Sequence, residues 1–228
     1  MFKIFRLISL LIFVMFPFST NAHVQHYKDL KSIKFDIYRN GVHIGTHIFS
    51  FKKSGDELAI KSEIKFEIKK FGIVLYKYYA EGIEIYKDNK LIKFNSTTDQ
   101  NGKLKYANIE INNNNNYIID GSAYKGEVPL EFLIGTWWNH DIVEAPAQIS
   151  AVSGRIIKQK VKFLAKEIVK FGENSYNTLH YNFSSTDKKL PKKKKLNTDV
   201  WYDEKTFNWV KASFEKRGKW EYRLVFIK

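Results

Sequence analysis

Two histidines four positions apart, His43 and His47, are the residues whose types and spacing most readily suggest chemistry. On a helix, imidazoles at this spacing share one face and can chelate zinc or copper. The preceding Asn40-Gly41 pair is instead typical of a two-residue hairpin turn, which predicts a strand from residue 42. On a regular strand both side chains face the same side, but roughly 13 Å separates their backbones, too far for one ion. We therefore predict no metal site here and retain both histidines as candidate ligand-binding residues.

An alternative metal chemistry starts from His23. Cleavage of the chain after Ala22 would make this histidine the N-terminal residue. Its amine and imidazole would then hold copper together with a second imidazole, as in copper-dependent polysaccharide oxygenases. His26, His140 or His180 would supply that second ring. A copper-binding enzyme therefore stays open as an alternative.

The densest cluster of aromatic and polar residues is Trp137-Trp138-Asn139-His140. One interpretation is a stacking wall or lid over a ligand, and the other is a pair of tryptophans that cap one end of a core. The chain has no G-x-S-x-G elbow, P-loop, dinucleotide fingerprint or H-E-x-x-H motif. We therefore predict no catalytic residues, expect no cofactor, and favour a non-catalytic protein.

The formal net charge of +14 comes mostly from lysine, which is concentrated in the run KKLPKKKK at 188–195. Such a run is typical of a solvated hairpin loop, or of a segment attracted to an anionic membrane surface. The candidate membrane contacts are Lys192, Lys193, Lys194 and Lys195. Nucleic acid is not an expected partner, because the run has neither arginine nor aromatic residues for base stacking.

The first 22 residues have the layout of a secretory signal peptide. Lys3 and Arg6 precede an apolar run from Leu7 to Phe18, and small residues lead up to Ala22. A run of twelve residues is shorter than the ~20 that a membrane-spanning helix needs. We expect residues 23–228 to form a single all-β domain of the periplasm or outer envelope, soluble after cleavage. Its core must form without disulfides, because the chain has no cysteine.

Alternation of apolar and polar residues indicates which elements position these candidates. It is clearest over 58–69, where the even-numbered positions form one face on which only Ser62 is polar. Gly45 indicates a β-bulge or a close approach of two backbones. Similar segments, separated by short turns, span 32–39, 42–52, 74–87, 90–98, 103–111, 116–120, 156–163, 176–184, 198–203, 207–215 and 219–227. We predict an all-β fold: a single large curved antiparallel meander sheet or partly open β-barrel, with one irregular or short-helical segment near 121–155.

Several short motifs occur in series along the chain and resemble those of an uncharacterised family of exported bacterial β-proteins, a domain-of-unknown-function family. The motifs are a G-x-x-I-G-x-H hairpin, a W-N pair and a closing W-Y-D…G…Y-x-L set. Here they are Gly41, Ile44, Gly45 and His47; Trp138 and Asn139; and Trp201, Tyr202, Asp203, Gly218, Tyr222 and Leu224. The resemblance implies a β-fold and export, and no known activity.

From the amphipathic strands and the aromatic segment we expect a binding module for an apolar or amphipathic ligand such as lipid. A structural or interaction protein of the cell envelope is the alternative. A curved sheet of this kind either encloses a ligand or fills its interior with side chains.

Processing of the N-terminus can be measured directly. We expect protein isolated from the envelope fraction of its own host to begin at His23, as determined by intact-mass spectrometry. Ala22→Phe should leave the precursor uncleaved, because the cleavage site requires small residues. Wild-type protein that retains Met1 would contradict the prediction.

Overall fold

The computed structural model describes Tyr27, residues 29–191 and residues 194–228. The predicted signal peptide, His23, His26, Lys192 and Lys193 therefore lie outside the described residues. The strands are β1 (Ser32–Arg39), β2 (Val42–Ser54), β3 (Glu57–Lys70), β4 (Ile73–Lys87), β5 (Lys90–Gln100), β6 (Lys103–Ile111), β7 (Asn116–Gly121), β8 (Lys125–Pro129), β9 (Leu133–Ile134), β10 (Ala147–Ile149), β11 (Ile156–Phe171), β12 (Asn174–Ser185), β13 (Asn197–Asp203), β14 (Trp209–Glu215) and β15 (Lys219–Ile227). No helix among these residues is long and apolar enough to cross a bilayer.

All fifteen strands belong to one curved sheet in the order β8-β7-β6-β5-β4-β3-β2-β1-β15-β14-β13-β12-β11-β10-β9. The first and last strands, β1 and β15, are antiparallel neighbours in its middle. Strands β8 and β9 bound the sheet, which is therefore open. This confirms the predicted curved antiparallel meander, with one local exception, since β9 and β10 pair in parallel. The segment 121–155 is irregular as predicted: it holds the short strands β8 to β10 and a 3₁₀ turn at His140–Val143.

The hairpin connections fall at two opposite ends of the sheet, because successive strands run antiparallel. One end, which we name the lysine end, carries the connections 40–41, 71–72, 101–102, 122–124, 150–155, 186–196 and 216–218. The other, the asparagine end, carries 55–56, 88–89, 112–115, 172–173 and 204–208. The predicted turns Asn40-Gly41 and Asn101-Gly102 have φ values from 51° to 84°. Positive φ at both central residues is the requirement of a tight hairpin.

The orientation of His43 differs from the sequence-based expectation, because β2 contains a bulge. Two consecutive residues of β1 lie opposite Gly45 and His43, so Ile44 is an extra residue in β2. An extra residue reverses the alternation of side chains between the two faces. His43 therefore faces outwards, 3.5 Å from the Asp36 carboxylate, whereas His47 is buried. The expectation that the two imidazoles share a face is wrong, and they do not form a metal site.

Gly45 also brings the backbones of β2 and β3 unusually close together. A Cβ at this position would stand 2.0 Å from the Lys65 carbonyl oxygen and 2.5 Å from the Phe66 Cα. Only glycine fits without moving a strand, which confirms the close approach, one of the two features that Gly45 was expected to indicate.

The packed core occupies the concave side of the sheet towards the asparagine end. At its centre, Trp138 is fully buried. Its indole makes edge contacts with the rings of Tyr27, Phe51 and Tyr86, at centroid distances of 5.2 to 5.6 Å. Aliphatic side chains from neighbouring strands surround this group: Leu58, Ile60, Leu91, Ile109 and Ile119. The segment 130–155 therefore fills the inside of the curved sheet. Of the two interpretations of the tryptophan pair, packing in the core applies to Trp138.

We expect Gly45→Ala to lower the free energy of unfolding by at least about 2 kcal/mol, because the added methyl collides with backbone atoms of β3. Gly55→Ala is the matched control, since Gly55 has a φ of 61° but no atom within 4 Å of an added Cβ. The control should lose only about 1 kcal/mol, from backbone strain. Equal losses in denaturant unfolding would contradict the close approach.

Candidate functional site

A cavity of about 240 Å³ lies inside the sheet, in the half nearer the lysine end. Strands β2 to β5 line one side, β14 and β15 line the opposite side, and parts of 135–157 complete the wall. The lining includes His47, Ser62, Tyr78, Ala80, Gly82, Phe94, Ser96, Thr98, Thr136, Trp137, Gln148, Leu196, Trp209 and Tyr222.

Small inward-facing residues account for the position of the cavity. In β4 the two central inward positions are Ala80 and Gly82, and Ser62 lies opposite Gly82 in β3. On the other side, β5 places Ser96 opposite Gly82. Three adjacent strands therefore contribute little volume at the same level, and the core does not close there.

Four rings form one wall of the cavity, and we name them the aromatic box: His47, Trp137, Trp209 and Tyr222. The centroid of Trp209 lies 5.9 Å from His47, 5.7 Å from Trp137 and 5.6 Å from Tyr222. Trp137 has a φ of 61°, which is rare for a bulky residue. This left-handed backbone separates the two neighbouring tryptophans, so that Trp137 lines the cavity while Trp138 enters the core. Strained backbone of this kind is concentrated at functional sites.

Three ring nitrogens of the aromatic box are buried and have no hydrogen-bond partner among the described residues. They are Nδ1 of His47 and Nε1 of Trp137 and Trp209. Buried polar groups in native proteins are nearly always paired, and an indole N–H can only donate. The aromatic box thus holds two indole donors and one imidazole nitrogen that no described residue satisfies.

His47 is uncharged in this environment. Burial lowers its pKa from 6.5 to about 3, so the imidazole is neutral at physiological pH. Its Nε2 lies 2.9 Å from the Ser62 hydroxyl. The other ring nitrogen is therefore available as a neutral donor or acceptor, according to the tautomer.

The pair Ser62 and His47 resembles the nucleophile and base of a hydrolase only in distance. A general base must accept a proton, and the low pKa of His47 opposes this. No carboxylate orients Nδ1, which has no partner in the described chain. The part of the chain that the structure describes contains no group of three or more histidine, cysteine, aspartate or glutamate side chains suited to a metal ion. The arrangement fits binding better than acyl transfer.

A buried carboxyl group, Glu84, fastens the irregular segment to the sheet. One oxygen accepts hydrogen bonds from the Trp138 indole (2.9 Å) and the Thr136 hydroxyl (3.0 Å), and the other accepts one from the Tyr86 hydroxyl (2.8 Å). Burial raises the pKa of Glu84, and the three donors partly offset this effect. This contact fixes Thr136 and Trp138, and thereby the position of Trp137 between them.

The other predicted ligand-binding residues lie away from the cavity lining. The Asn139 side chain accepts a hydrogen bond from the Asp141 N–H (2.9 Å) and caps the 3₁₀ turn. His140 packs against the rings of Tyr202 and Phe207, at centroid distances of 4.8 and 4.6 Å. Of the six residues predicted from the sequence, His47 and Trp137 line the cavity, whereas His43, Trp138, Asn139 and His140 do not.

The remaining candidates lie elsewhere. His180, considered as a second copper ligand, lies on the outer face, with its ring nitrogens 2.7 Å from Glu167 and 3.4 Å from Asp199. Lys194 and Lys195 are exposed at the lysine end, where the Lys194 carbonyl accepts a hydrogen bond from Arg155 (3.2 Å).

Sequence reasoning did not assign Glu84, Ser62 or Trp209 to a site. For Ser62 a signal existed, since it is a lone polar residue on the apolar face of a strand. The sequence signal for Glu84 was weaker. Alternation assigns a charged residue between two isoleucines to the solvent face, whereas in the structure Ile83 and Ile85 face outwards and Glu84 faces inwards. Nothing in the sequence around Trp209 relates it to residue 137.

Comparisons with known proteins agree with the fold. A family model described as domain of unknown function DUF6134 matches residues 35–225, consistent with the resemblance to an uncharacterised family. A crystal structure of a β-barrel-like protein of the domain of unknown function DUF1849, from Brucella abortus, is similar, with a TM-score of 0.61 at 8% identity. The similarity covers 87% of this chain and 97% of that one. No protein of the curated set matches.

The raised pKa of Glu84 makes stability depend on pH. Between the ordinary carboxyl pKa and the raised value, the folded protein binds the proton more tightly than the unfolded chain. The free energy of unfolding therefore falls as pH rises through this window. Glu84→Gln removes the titration and keeps an acceptor for Trp138 and Thr136. We expect its free energy of unfolding to rise relative to wild type as pH increases from about 4 towards neutrality.

Denaturant unfolding at a series of pH values measures this difference. Glu84→Leu removes the acceptor for all three donors and should cost about 2–4 kcal/mol at every pH. Glu63→Gln on the neighbouring strand is the control for loss of charge alone. Parallel pH profiles for wild type and Glu84→Gln would refute the assignment.

Proposed function

The chain belongs to the DUF6134 family of domains of unknown function, and we propose that it is a non-catalytic binding protein that holds a compact amphipathic ligand in its cavity. The apolar part of the ligand packs against Phe94, Tyr78 and the aromatic box. Its polar part accepts hydrogen bonds from the buried ring nitrogens.

The observation that carries this proposal is the group of three ring nitrogens without partners, which belong to side chains that line one wall of the cavity. An apolar filling would leave these groups unsatisfied at a cost of about 1–3 kcal/mol each. A ligand with an acceptor oxygen satisfies them and replaces the missing side-chain volume. A cavity that simply compensated for poor packing would not need several donors in one wall.

The size and charge of the lining restrict the ligand. The volume of about 240 Å³ lies below the range of roughly 300–1,000 Å³ typical of pockets for drug-sized molecules. A whole lipid therefore does not fit, and a short amphiphile or the end of one lipid chain does. The described lining contains no lysine or arginine, and His47 is neutral. Burial of an unpaired carboxylate is costly, so a neutral ketone, ester or hydroxyl is the favoured polar group.

The proposed place of action is the periplasm or outer envelope, after removal of residues 1–22. The signal-like order of Lys3, Arg6 and the apolar run supports export. The membranes of the envelope are also a source of amphipathic ligands.

We expect protein purified from its own host to release a small neutral amphiphile in native mass spectrometry. Prodan, a compact naphthalene ketone, is a suitable probe, because its emission shifts when its carbonyl enters an apolar, hydrogen-bonding site. Trp209→Phe keeps a ring but removes one donor, and should weaken prodan binding about tenfold. Ala80→Phe fills the cavity and should abolish binding.

The matched control is Ala59→Phe, which adds the same ring on the outer face of β3 and should bind prodan like wild type. Circular dichroism and thermal unfolding verify that each variant is folded. The absence of any ligand in host-purified protein, together with no prodan binding by wild type, would overturn the proposal. Binding that is unchanged in folded Ala80→Phe would also overturn it.

A further inference from the structure

The hairpin of β3 and β4 projects from the lysine end as a two-stranded arm. The last ladder pair of β3 with β2 is Phe66 opposite Gly45, and the last pair of β4 with β5 is Tyr78 opposite Gln100. Beyond these pairs, the ladder joins residues 67–77 only to each other, and the Lys77 backbone is also hydrogen-bonded to Asn101. Four residues of strand give the arm a length of roughly 13 Å beyond its last pair with β2, and β2 itself continues past that pair to Val42.

The tip of this arm is apolar and exposed. The exposed fractions are 92% for Phe71, 66% for Ile73, 55% for Leu75 and 37% for Val74. Leu104, at the start of β6 on the same end, is 80% exposed. Single exposed apolar residues are common on protein surfaces, but consecutive ones at a projecting tip indicate a contact with something apolar.

The backbone of the tip supports this interpretation. Phe71 has a φ of 51° and Gly72 a φ of 78°, the geometry of a two-residue hairpin. The chain makes the equivalent turns at Asn40 and Asn101 with asparagine, which tolerates left-handed backbone. Phenylalanine is strained in this conformation, and its ring gains little packing inside the molecule. A large apolar residue at this position, where the two equivalent turns have asparagine, favours a contact outside the chain.

Charge is distributed unequally between the two ends of the sheet. Among the described residues, the lysine-end connections contain seven lysine or arginine residues and one acid, Asp187. The asparagine-end hairpin connections contain four acids, Asp56, Asp88, Glu173 and Glu204, and one base, Lys205. The arm adds the exposed lysines 69, 70 and 77, and its single acid, Glu67, is already paired with Lys69 at 3.1 Å.

We propose that the lysine end docks on an anionic lipid bilayer, with the tip of the β3–β4 arm inserted among the lipids. Phe71, Ile73 and Leu75 enter the interfacial region, and the surrounding lysines contact lipid phosphates. An apolar element ringed by basic residues is the usual design of a protein that lies on an anionic membrane.

A bilayer fits this end better than another macromolecule. The tip displays apolar side chains on both faces of a narrow hairpin, which fluid lipid surrounds on all sides, whereas a protein groove covers one face. Nucleic acid would use the lysines but leave Ile73, Val74 and Leu75 in water. The docking needs no ligand in the cavity, so it stands independently of the proposed function.

Co-sedimentation of the protein purified from its own host with lipid vesicles tests the docking. We expect binding to vesicles of phosphatidylcholine with about one-third phosphatidylglycerol, weak binding to phosphatidylcholine alone, and loss of binding as salt rises. The double variant Phe71→Ser, Ile73→Ser should reduce the partition coefficient at least about tenfold. The control Phe163→Ser, Ile168→Ser makes the same changes at exposed positions of β11 and should bind like wild type.

A second pair of variants isolates the charge. Lys69→Gln, Lys70→Gln should reduce binding to the anionic vesicles about tenfold. Lys52→Gln, Lys53→Gln removes the same charges near the asparagine end and should have little effect. All variants share one N-terminus, so any contribution of residues 1–22 cancels. Wild-type protein that does not bind anionic vesicles, or equal losses of vesicle binding in test and control variants, would overturn the docking. Normal prodan binding in such protein would leave the cavity proposal intact.

Discussion

The hydrogen-bonded carboxyl group of Glu84 is the contact on which the interior of this molecule depends. An open sheet of fifteen strands has a long concave face that must be filled before the sheet can keep its curvature. The filling comes from the chain itself, as the segment 130–155, which has too little regular structure to position itself. Three donors converge on Glu84, two of them from this segment, and this polar attachment sets where Trp138 packs. Removal of one partner from such a buried group costs more than the group contributes when complete.

The same attachment divides the interior into two different halves. Towards the asparagine end, large aromatic and aliphatic side chains interdigitate around Trp138. Towards the lysine end, Ala80, Gly82, Ser62 and Ser96 leave volume, and the aromatic box lines it. The left-handed residue between these halves, Trp137, is where the chain changes from structural packing to lining the cavity. The exposed tip and the basic connections lie at the end nearer the cavity, so a ligand would have a short path between a bilayer and the binding site.

The fold was largely predictable from the sequence, because alternation with period two is a local property of each strand. The segment 58–69 shows this, since the residues assigned to its apolar face from Leu58 to Phe66 are buried or line the cavity. The site was less predictable, because it depends on events that alternation cannot report. One extra residue at Ile44 reversed the orientation of His43, and Ile83 and Ile85 face outwards while Glu84 faces inwards. The relation of Trp209 to Trp137 arises only when the sheet curls, and no local pattern encodes it.

The unpaired boundary between β8 and β9 has a consequence for self-association. An open sheet presents free N–H and C=O groups along its margins, which invite strands of another molecule and the growth of fibrils. The margin at β8 is a poor template, because this strand has five residues, of which Pro129 has no N–H and Lys125 is charged. The margin on the other side is different, because β9 has two residues and β10 three, and their ladder reaches β11 only at residues 156–158. The rest of β11, to Phe171, forms the outer margin there, with Phe163 and Ile168 exposed, and it is the strand along which a second molecule would add.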